Sequence, residues 1–430
     1  MAEIHWLNPV NGNWGKASDW SGGVVPGGSD DAFLDALGTT DYTVKTTGFQ
    51  PVNTLQIASN ATLDVGDAKE AGGFTALHGL SNAGSIVVGK GSYLASGASG
   101  SGNLTNSGII VAKAGGSLLL ENTIDNSGTI MIEPQSFLTD GFSATYTGGG
   151  TIDLINASIM GGNGKKSTLE YLTNVDNLIE GSGVIGGTSH GGHNGRRLSF
   201  TNEAAGVVDA NAQGALILET GGQTVTNAGL IEATGDGVCI IKSAVNNTGP
   251  LEADGGTLML EAAVTGSGTV AVAAGSIVIT NAHAKETVTF TGQNGTLELD
   301  QSQTFSGAVD GFSLIGQTML DLRDIGFVSP NEATYSGTAK SGVLTVTDGT
   351  HTAHIHLVGD YTGSTFVASS DGNGGVDIVD PRAQTPSVAH FAGAMATLGG
   401  PAGPLGGLNN VRGVHDIHQL FLVAPRAAIA

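Results

Sequence analysis

The sequence predicts an all-β protein wound as a stack of short coils, and three observations lead there. The first is a degenerate repeat of about 20 residues, Asn-x-Gly followed by a short apolar strand. It reads Asn82-Ala-Gly-Ser-Ile-Val-Val, Asn106-Ser-Gly-Ile-Ile-Val and Asn126-Ser-Gly-Thr-Ile-Met-Ile, then Asn227-Ala-Gly-Leu-Ile-Glu-Ala and Asn247-Thr-Gly-Pro-Leu-Glu-Ala. With Gly in place of Asn it returns as Gly266-Ser-Gly-Thr-Val-Ala-Val. The second is composition: 70 glycines among 430 residues rule out long helices, because Gly destabilises a helix interior by about 1 kcal/mol relative to Ala. The third is that the 40% hydrophobic residues fall in short Ile, Val and Leu runs broken by Gly, Asn, Asp and Thr. That pattern describes many short strands joined by tight turns rather than disorder.

Residues 1–50 hold all three tryptophans, Trp6, Trp14 and Trp20. A stack of coils exposes an open strand edge and an apolar end at its first unit, and both must be covered. The aromatic cluster fits an N-terminal cap; a carbohydrate-stacking platform is the alternative. Residues 51–300 form the repeat body. Its second half-unit has its own signature, Gly then Ser or Thr then apolar residues, as in Gly115-Gly-Ser-Leu-Leu-Leu and Gly255-Gly-Thr-Leu-Met-Leu. Coils stacked at about 4.8 Å would bring equivalent Asn side chains into ladders. Such Asn residues also suit left-handed backbone angles beside Gly. The body would hold roughly 12 coils.

The repeat weakens between residues 140 and 200, where Gly186-Gly-Thr-Ser-His-Gly-Gly-His-Asn-Gly-Arg-Arg197 reads as a loop leaving one side. Residues 301–380 carry Asp-Gly hairpin signals at Asp348-Gly349 and Asp371-Gly372 and are expected to form a C-terminal β-module. Residues 381–430 are rich in Gly, Ala and Pro, an expected poorly ordered tail with at most a short helix near Val388–Leu398.

Sixteen basic against 38 acidic residues give a net charge of −22, which disfavours nucleic acid and anionic lipid as partners. The single Cys239 lies in an apolar run and reads as a small buried hydrophobe. The N-terminus lacks a basic region followed by an apolar core, so no cleaved secretory signal is expected. Without an apolar run of about 20 residues, membrane insertion by a helix is not expected either.

The opening Trp6-Leu-Asn-Pro-Val-Asn-Gly-Asn-Trp14-Gly-Lys-Ala-Ser-Asp-Trp20-Ser-Gly-Gly resembles the start of repeat-rich bacterial surface proteins, similar to autotransporter passengers and haemagglutinin-like adhesins. A second stretch begins at Asp321-Leu-Arg-Asp-Ile and continues through Gly342-Val-Leu-Thr-Val-Thr-Asp-Gly-Thr-His. It ends at Phe366-Val-Ala-Ser-Ser-Asp-Gly-Asn-Gly-Gly-Val-Asp-Ile-Val-Asp-Pro381. It resembles a module near the C-terminus of large secreted proteins of alphaproteobacterial type. The resemblance implies a right-handed parallel β-helix at the cell surface or outside the cell, and it carries over no catalytic residue. No membrane-barrel translocator follows the body, and the calcium-binding nonapeptide is not present in tandem. Export by a one-step system reading residues 381–430 is the route these features suggest.

Several constellations are candidates for chemistry. His354 and His356 in His351-Thr-Ala-His354-Ile-His356 would share one face of a strand and could share a metal; an ordinary exposed strand face explains them equally. Asp371, Asn373 and Asp377 offer oxygen ligands at short spacing, suited to calcium, and a tight hairpin turn accounts for the same residues. His190, His193, Arg196 and Arg197 sit in the inferred loop. The Arg pair could grip a carboxylate-bearing sugar by bidentate hydrogen bonds, or be surface charge. Among the acids Asp153, Glu219, Glu232, Glu252 and Glu261, Glu232 and Glu252 follow the motif strand at the same position and should stack on adjacent coils. Paired carboxylates are the signature of polysaccharide hydrolysis, but this regularity reads as an outward repeat position.

These readings lead to a secreted, non-enzymatic β-solenoid adhesin or extracellular structural protein. It would bind glycans, cells or matrix, self-associate, and use no cofactor, with calcium as the one candidate ion. The alternative is a β-helix polysaccharide lyase or glycosidase.

Overall fold

The computed structural model describes residues 1–66, 69–97, 102–139, 143–161, 169–186, 197–280 and 285–381. The 187–196 stretch of the inferred loop and the tail from 382 onward, with the helix expected near its start, lie outside these residues. The fold is all-β, with 58% strand and 3% helix, and forms a parallel β-solenoid of about 11 turns.

One turn shows how the repeat becomes structure. Asn103–Asn106 lies on a first face, Ile109–Ala112 on a second and Ser117–Leu120 on a third. The chain then returns to the first face as Asn122–Asn126, which pairs in parallel with Asn103–Asn106. Every motif strand therefore belongs to the second face, and the Gly-Ser/Thr half-unit to the third. Side chains alternate inward and outward along each short strand. The inward positions stack into unbroken columns, such as Leu63, Ile86, Ile110, Ile130, Ile152, Ile179, Val208, Ile231 and Leu251 on the second face. All nine are fully buried.

The motif asparagines end the strands of the first face and point into the interior. Asn82 donates its amide N–H to Asn106 Oδ1 at 2.8 Å, Asn106 to Asn126 at 2.7 Å, Asn227 to Asn247 at 2.8 Å, and Asn202, which stands at the same place without the Asn-x-Gly motif, to Asn227 at 2.9 Å. Each also donates to a nearby backbone carbonyl, that of Gly229 at 2.9 Å for Asn227 and that of Gly249 at 2.9 Å for Asn247. Where Gly148-Gly-Gly150 replaces the motif, the ladder is bridged. Asn126 reaches Asn177 Oδ1 at 2.8 Å, Asn174 Nδ2 donates to the Asn177 carbonyl at 2.8 Å, and Asn174 continues to Asn202 at 2.9 Å. The weakened repeat at 140–200 thus keeps both the ladder and the parallel pairing.

The motif glycines serve space rather than backbone conformation. A Cβ on Gly108 would sit 2.0 Å from the Gly84 carbonyl oxygen, one on Gly128 2.1 Å from that of Gly108, and one on Gly249 2.2 Å from that of Gly229. None of these glycines has a positive φ, nor do the motif asparagines; among the described residues the non-glycine residues that do are Asn122, Gln135, Asn156 and Asn294. The expected left-handed turn at the motif is therefore replaced by a close approach of stacked backbones.

At the N-terminal end Trp6, Trp14 and Trp20 are buried and meet edge to face, with ring centroids 5.0 and 4.6 Å apart. Trp14 continues onto Phe74 of the third face at 4.9 Å. Indoles packed in this way present no platform to a sugar. Parallel pairing runs without a break through residue 50, inside the strand Gly48–Ile57, and through residue 300, from Gly295–Leu299 to Thr318–Leu322. Beyond it antiparallel hairpins appear, while the strand Thr352–Val358 still pairs in parallel with Ala308–Asp310. Ser341–Thr347 and Thr352–Val358 form a hairpin about Asp348-Gly349, and Val367–Ser370 pairs with Val376–Val379. Both hairpins join the stack, one through Ala308–Asp310 and the other through Thr318–Leu322.

Breaking the ladder at its middle should be costly. Asn106→Ala strands buried amide groups on both neighbouring turns and is expected to lower stability in urea unfolding by about 1–3 kcal/mol. Gly128→Ala is expected to destabilise more than Gly222→Ala. The latter has open space, and its positive φ of 84° costs roughly 1–2 kcal/mol.

Candidate functional site

With the interior closed, chemistry must be sought in the outward columns and at the two ends. On the second face Asp153, Glu180, Asp209, Glu232 and Glu252 stand in register on consecutive turns. The expected stacking of Glu232 on Glu252 is thus part of a column of five acids. Beside it runs an apolar column through Leu178, Val207 and Leu230. Thr234 donates to both oxygens of Asp209, at 2.9 and 3.0 Å, and Asn211 donates to Glu180 at 2.7 Å. Burial first, then the charges of Asp209, Glu252 and Asp254, push Glu232 up to about 7. Asp153, Asp209 and Glu252 are raised as well, chiefly by burial.

The third face carries an aliphatic outward column, Val184, Ile217, Ile240, Met259 and Val278. It turns acidic at its C-terminal end with Glu298, Asp321 and Asp377. Here lie the oxygen ligands singled out in the sequence. Asp371 is already engaged: its Oδ1 accepts the N–H groups of Asn373 at 2.7 Å and Gly375 at 2.9 Å, and Arg323 donates to its Oδ2 at 3.1 Å. Asn373 is exposed. Asp377 faces Asp321 across an antiparallel pair, and each has a buried Oδ1 without a hydrogen-bond donor. Burial and then the charge of Asp377 push Asp321 up to about 7.

His354 and His356 share the outward face of Thr352–Val358, as strand alternation requires, and both are exposed. His354 is hydrogen-bonded to Thr345 Oγ1 at 3.2 Å, and His351 to Asp348 at 2.9 Å. Among the described residues no group of three or more His, Cys, Asp or Glu is placed to hold a metal ion. His190, His193 and Arg196 lie outside the described residues; Arg197 opens the strand Arg197–Asn202 and is exposed. Glu219 and Glu261 are on separate strand ends of the third face and the turn that follows it.

The sequence reading missed a cleft of about 460 Å³ on the first face, near the N-terminal end. Its floor is an outward column of Phe33, Gln56, Ser81 and Thr105, flanked by Asp31, Thr54, Gly79 and Asn103. Asn53 Nδ2 and Thr54 Oγ1 both donate to Asp31 Oδ1 at 2.6 Å, and these bonds hold its carboxyl below the ordinary value. His5 stacks on Phe33 with centroids 4.5 Å apart. The only sequence signal was an outward position recurring every 23 to 25 residues outside the Asn-x-Gly frame.

The raised acids fix the direction of pH dependence. Asp321 and Glu232 hold protons more tightly folded than unfolded, so their contribution is complete below about pH 4 and is lost as pH rises toward about 7. Thermal unfolding is expected to show stability falling over that window. Asp321→Asn and Glu232→Gln should flatten the fall and raise the melting temperature at pH 8.

Compared with known proteins, the chain matches no family model, no curated protein and no solved structure.

Proposed function

We propose that the protein is a secreted, non-enzymatic solenoid that binds glycans on its first face and acts as an adhesin or structural component outside the cell. The observation that carries this reading is the Phe33 cleft. An aromatic face supported by a stacked imidazole suits the apolar face of a sugar ring. Around it Asp31, Asn53, Thr54, Gln56, Ser81 and Asn103 offer acceptors, amides and hydroxyls for sugar hydroxyl groups. Asp31 is kept ionised by its donors and so remains a strong acceptor. The fold is compatible with adhesins and with polysaccharide-active proteins alike; the open, shallow form of the cleft favours holding over cleaving. Weak single-site binding gains strength when several copies act together.

One observation favours the enzymatic alternative. Glu232, raised to about 7, has carboxylates on both adjacent strands. Strand spacing of about 4.8 Å is close to the roughly 5–5.5 Å between the two carboxyls of retaining glycosidases.

A polysaccharide array probed with the purified chain separates the two. Retention without new reducing ends or unsaturated products is expected, and Phe33→Ala should weaken it about tenfold with an unchanged melting temperature. Product formation abolished by Glu232→Gln would instead establish the enzyme, and retention indifferent to Phe33→Ala would remove the cleft from the account.

A further inference from the structure

A second cleft, at the C-terminal end of the described chain, is independent of the glycan cleft. Its volume is about 370 Å³, and it is lined by Leu314, Asp360, Thr362, Gly363, Ser364 and Asp380. Apart from Leu314 and Gly363 the lining is carboxylates and hydroxyls, with no Lys, Arg or His among the described residues.

Asp380 is the unusual member. It is 1% exposed, yet it follows a strand end and belongs to no ion pair among the described residues. Its Oδ1 accepts the Thr365 N–H at 3.3 Å, and its Oδ2 is buried without any donor. A carboxylate this deep is expensive unless a positive charge or further donors meet it. Across the cleft the hydrogen bonds of Asp360 fall on one oxygen, Oδ1, which accepts the Thr362 N–H at 3.1 Å and the Thr362 hydroxyl at 2.7 Å. Tyr361, next to Asp360 in sequence, donates its hydroxyl to the Phe312 carbonyl at 3.0 Å. Burial, then the charges of Asp310 and Asp380, push that phenol up to about 12. The negative field of this corner therefore has no internal counterion among the described residues.

We propose that this cleft is a binding site for a hard divalent cation of the calcium class, held between Asp360 and Asp380. Two carboxylates match the charge of the ion. The Thr362 and Ser364 hydroxyls and retained waters complete an all-oxygen shell, and the absence of nitrogen and sulfur donors from the lining disfavours softer metals. The cleft is larger than the ion, so the ion keeps several waters. Its affinity then falls in the range of extracellular calcium modules, about 10⁻⁴–10⁻³ M. A bound cation would tie the 360–364 loop to the end of the strand Val376–Val379, fastening the last hairpin to the turn before it.

Terbium is the probe, because Tyr361 is adjacent in sequence to Asp360 and can sensitise its emission. Titrating the full chain with Tb³⁺ under tyrosine excitation should give saturable emission that Ca²⁺ competes away. Asp360→Asn keeps the acceptor for Thr362 and should fold normally by circular dichroism while weakening binding at least about tenfold. Asp380→Asn should do the same, and Tyr361→Phe should dim the emission without changing calcium affinity measured by calorimetry. Glu232→Gln should leave the titration unchanged. Equal binding by the Asp360→Asn and wild-type chains, or loss on Glu232→Gln, would overturn the proposal. So would emission that appears only in Arg382→Ala, because the counterion of Asp380 would then be the chain's own guanidinium.

Discussion

The constraint on which the structure depends is that a polar amide inside a narrow apolar tube has to find its partners along the axis. A buried Asn side chain without hydrogen bonds costs several kcal/mol, and the surrounding columns of Ile, Leu and Val offer none. Each amide N–H group is satisfied by the next turn and by a nearby backbone carbonyl, and only at the start of the ladder, at Asn82, is a side-chain carbonyl left without a donor among the described residues. Because the donor of one turn is paired with the acceptor of the next, a slip of one residue in any turn would leave buried groups unpaired on both sides. The aliphatic columns supply most of the burial but tolerate exchange among Ile, Leu and Val. The asparagines fix the register, and the glycines that follow set how closely the turns approach.

Regular stacking of the interior has a consequence outside. Outward positions are aligned as strictly as inward ones, so any bias in the repeat becomes a line of like side chains. The second face gathers five acids in this way and the third an aliphatic column. Half-burial, with the repulsion of like charges stacked at strand spacing added to it, is why the carboxyls of Asp153, Asp209, Glu232 and Glu252 are shifted upward. Places where the pattern departs from the repeat are where shaped clefts form. The Phe33 cleft opens where Gly79 leaves space in a polar column, and the Asp360–Asp380 cleft where parallel stacking gives way to hairpins.

How much was legible in the sequence follows from the range of the interactions. Asn-x-Gly, the Gly-Ser/Thr half-unit and the Asp348-Gly349 hairpin are local signals, and each appears in the fold at its expected place. The Asn ladder followed from the period alone, as did the stacking of Glu232 on Glu252. The role of the motif Gly did not, because the clash that excludes a side chain involves a carbonyl a full turn away in sequence. The bridge from Asn126 to Asn177 spans 51 residues and skips a turn without the motif, so periodicity could not find it. Asp321 and Asp377 meet only because the last strand runs antiparallel, and Asp360 and Asp380 are brought together by the same reversal. The tryptophans were ambiguous in sequence because a cap and a sugar platform use the same residues; burial of all three indoles decides against the platform.

The most direct measurement of the central claim is hydrogen exchange of the asparagine side-chain amides, followed by NMR on protein labelled with ¹⁵N at Asn. The amides of Asn106, Asn126, Asn202 and Asn227 are predicted to exchange at least about a hundredfold more slowly than that of exposed Asn246. Their protection should fall together on partial unfolding, as members of one cooperative column. If the ladder amides exchange as freely as that of Asn246, they are not paired along the axis, and some other interaction must set the register of the turns.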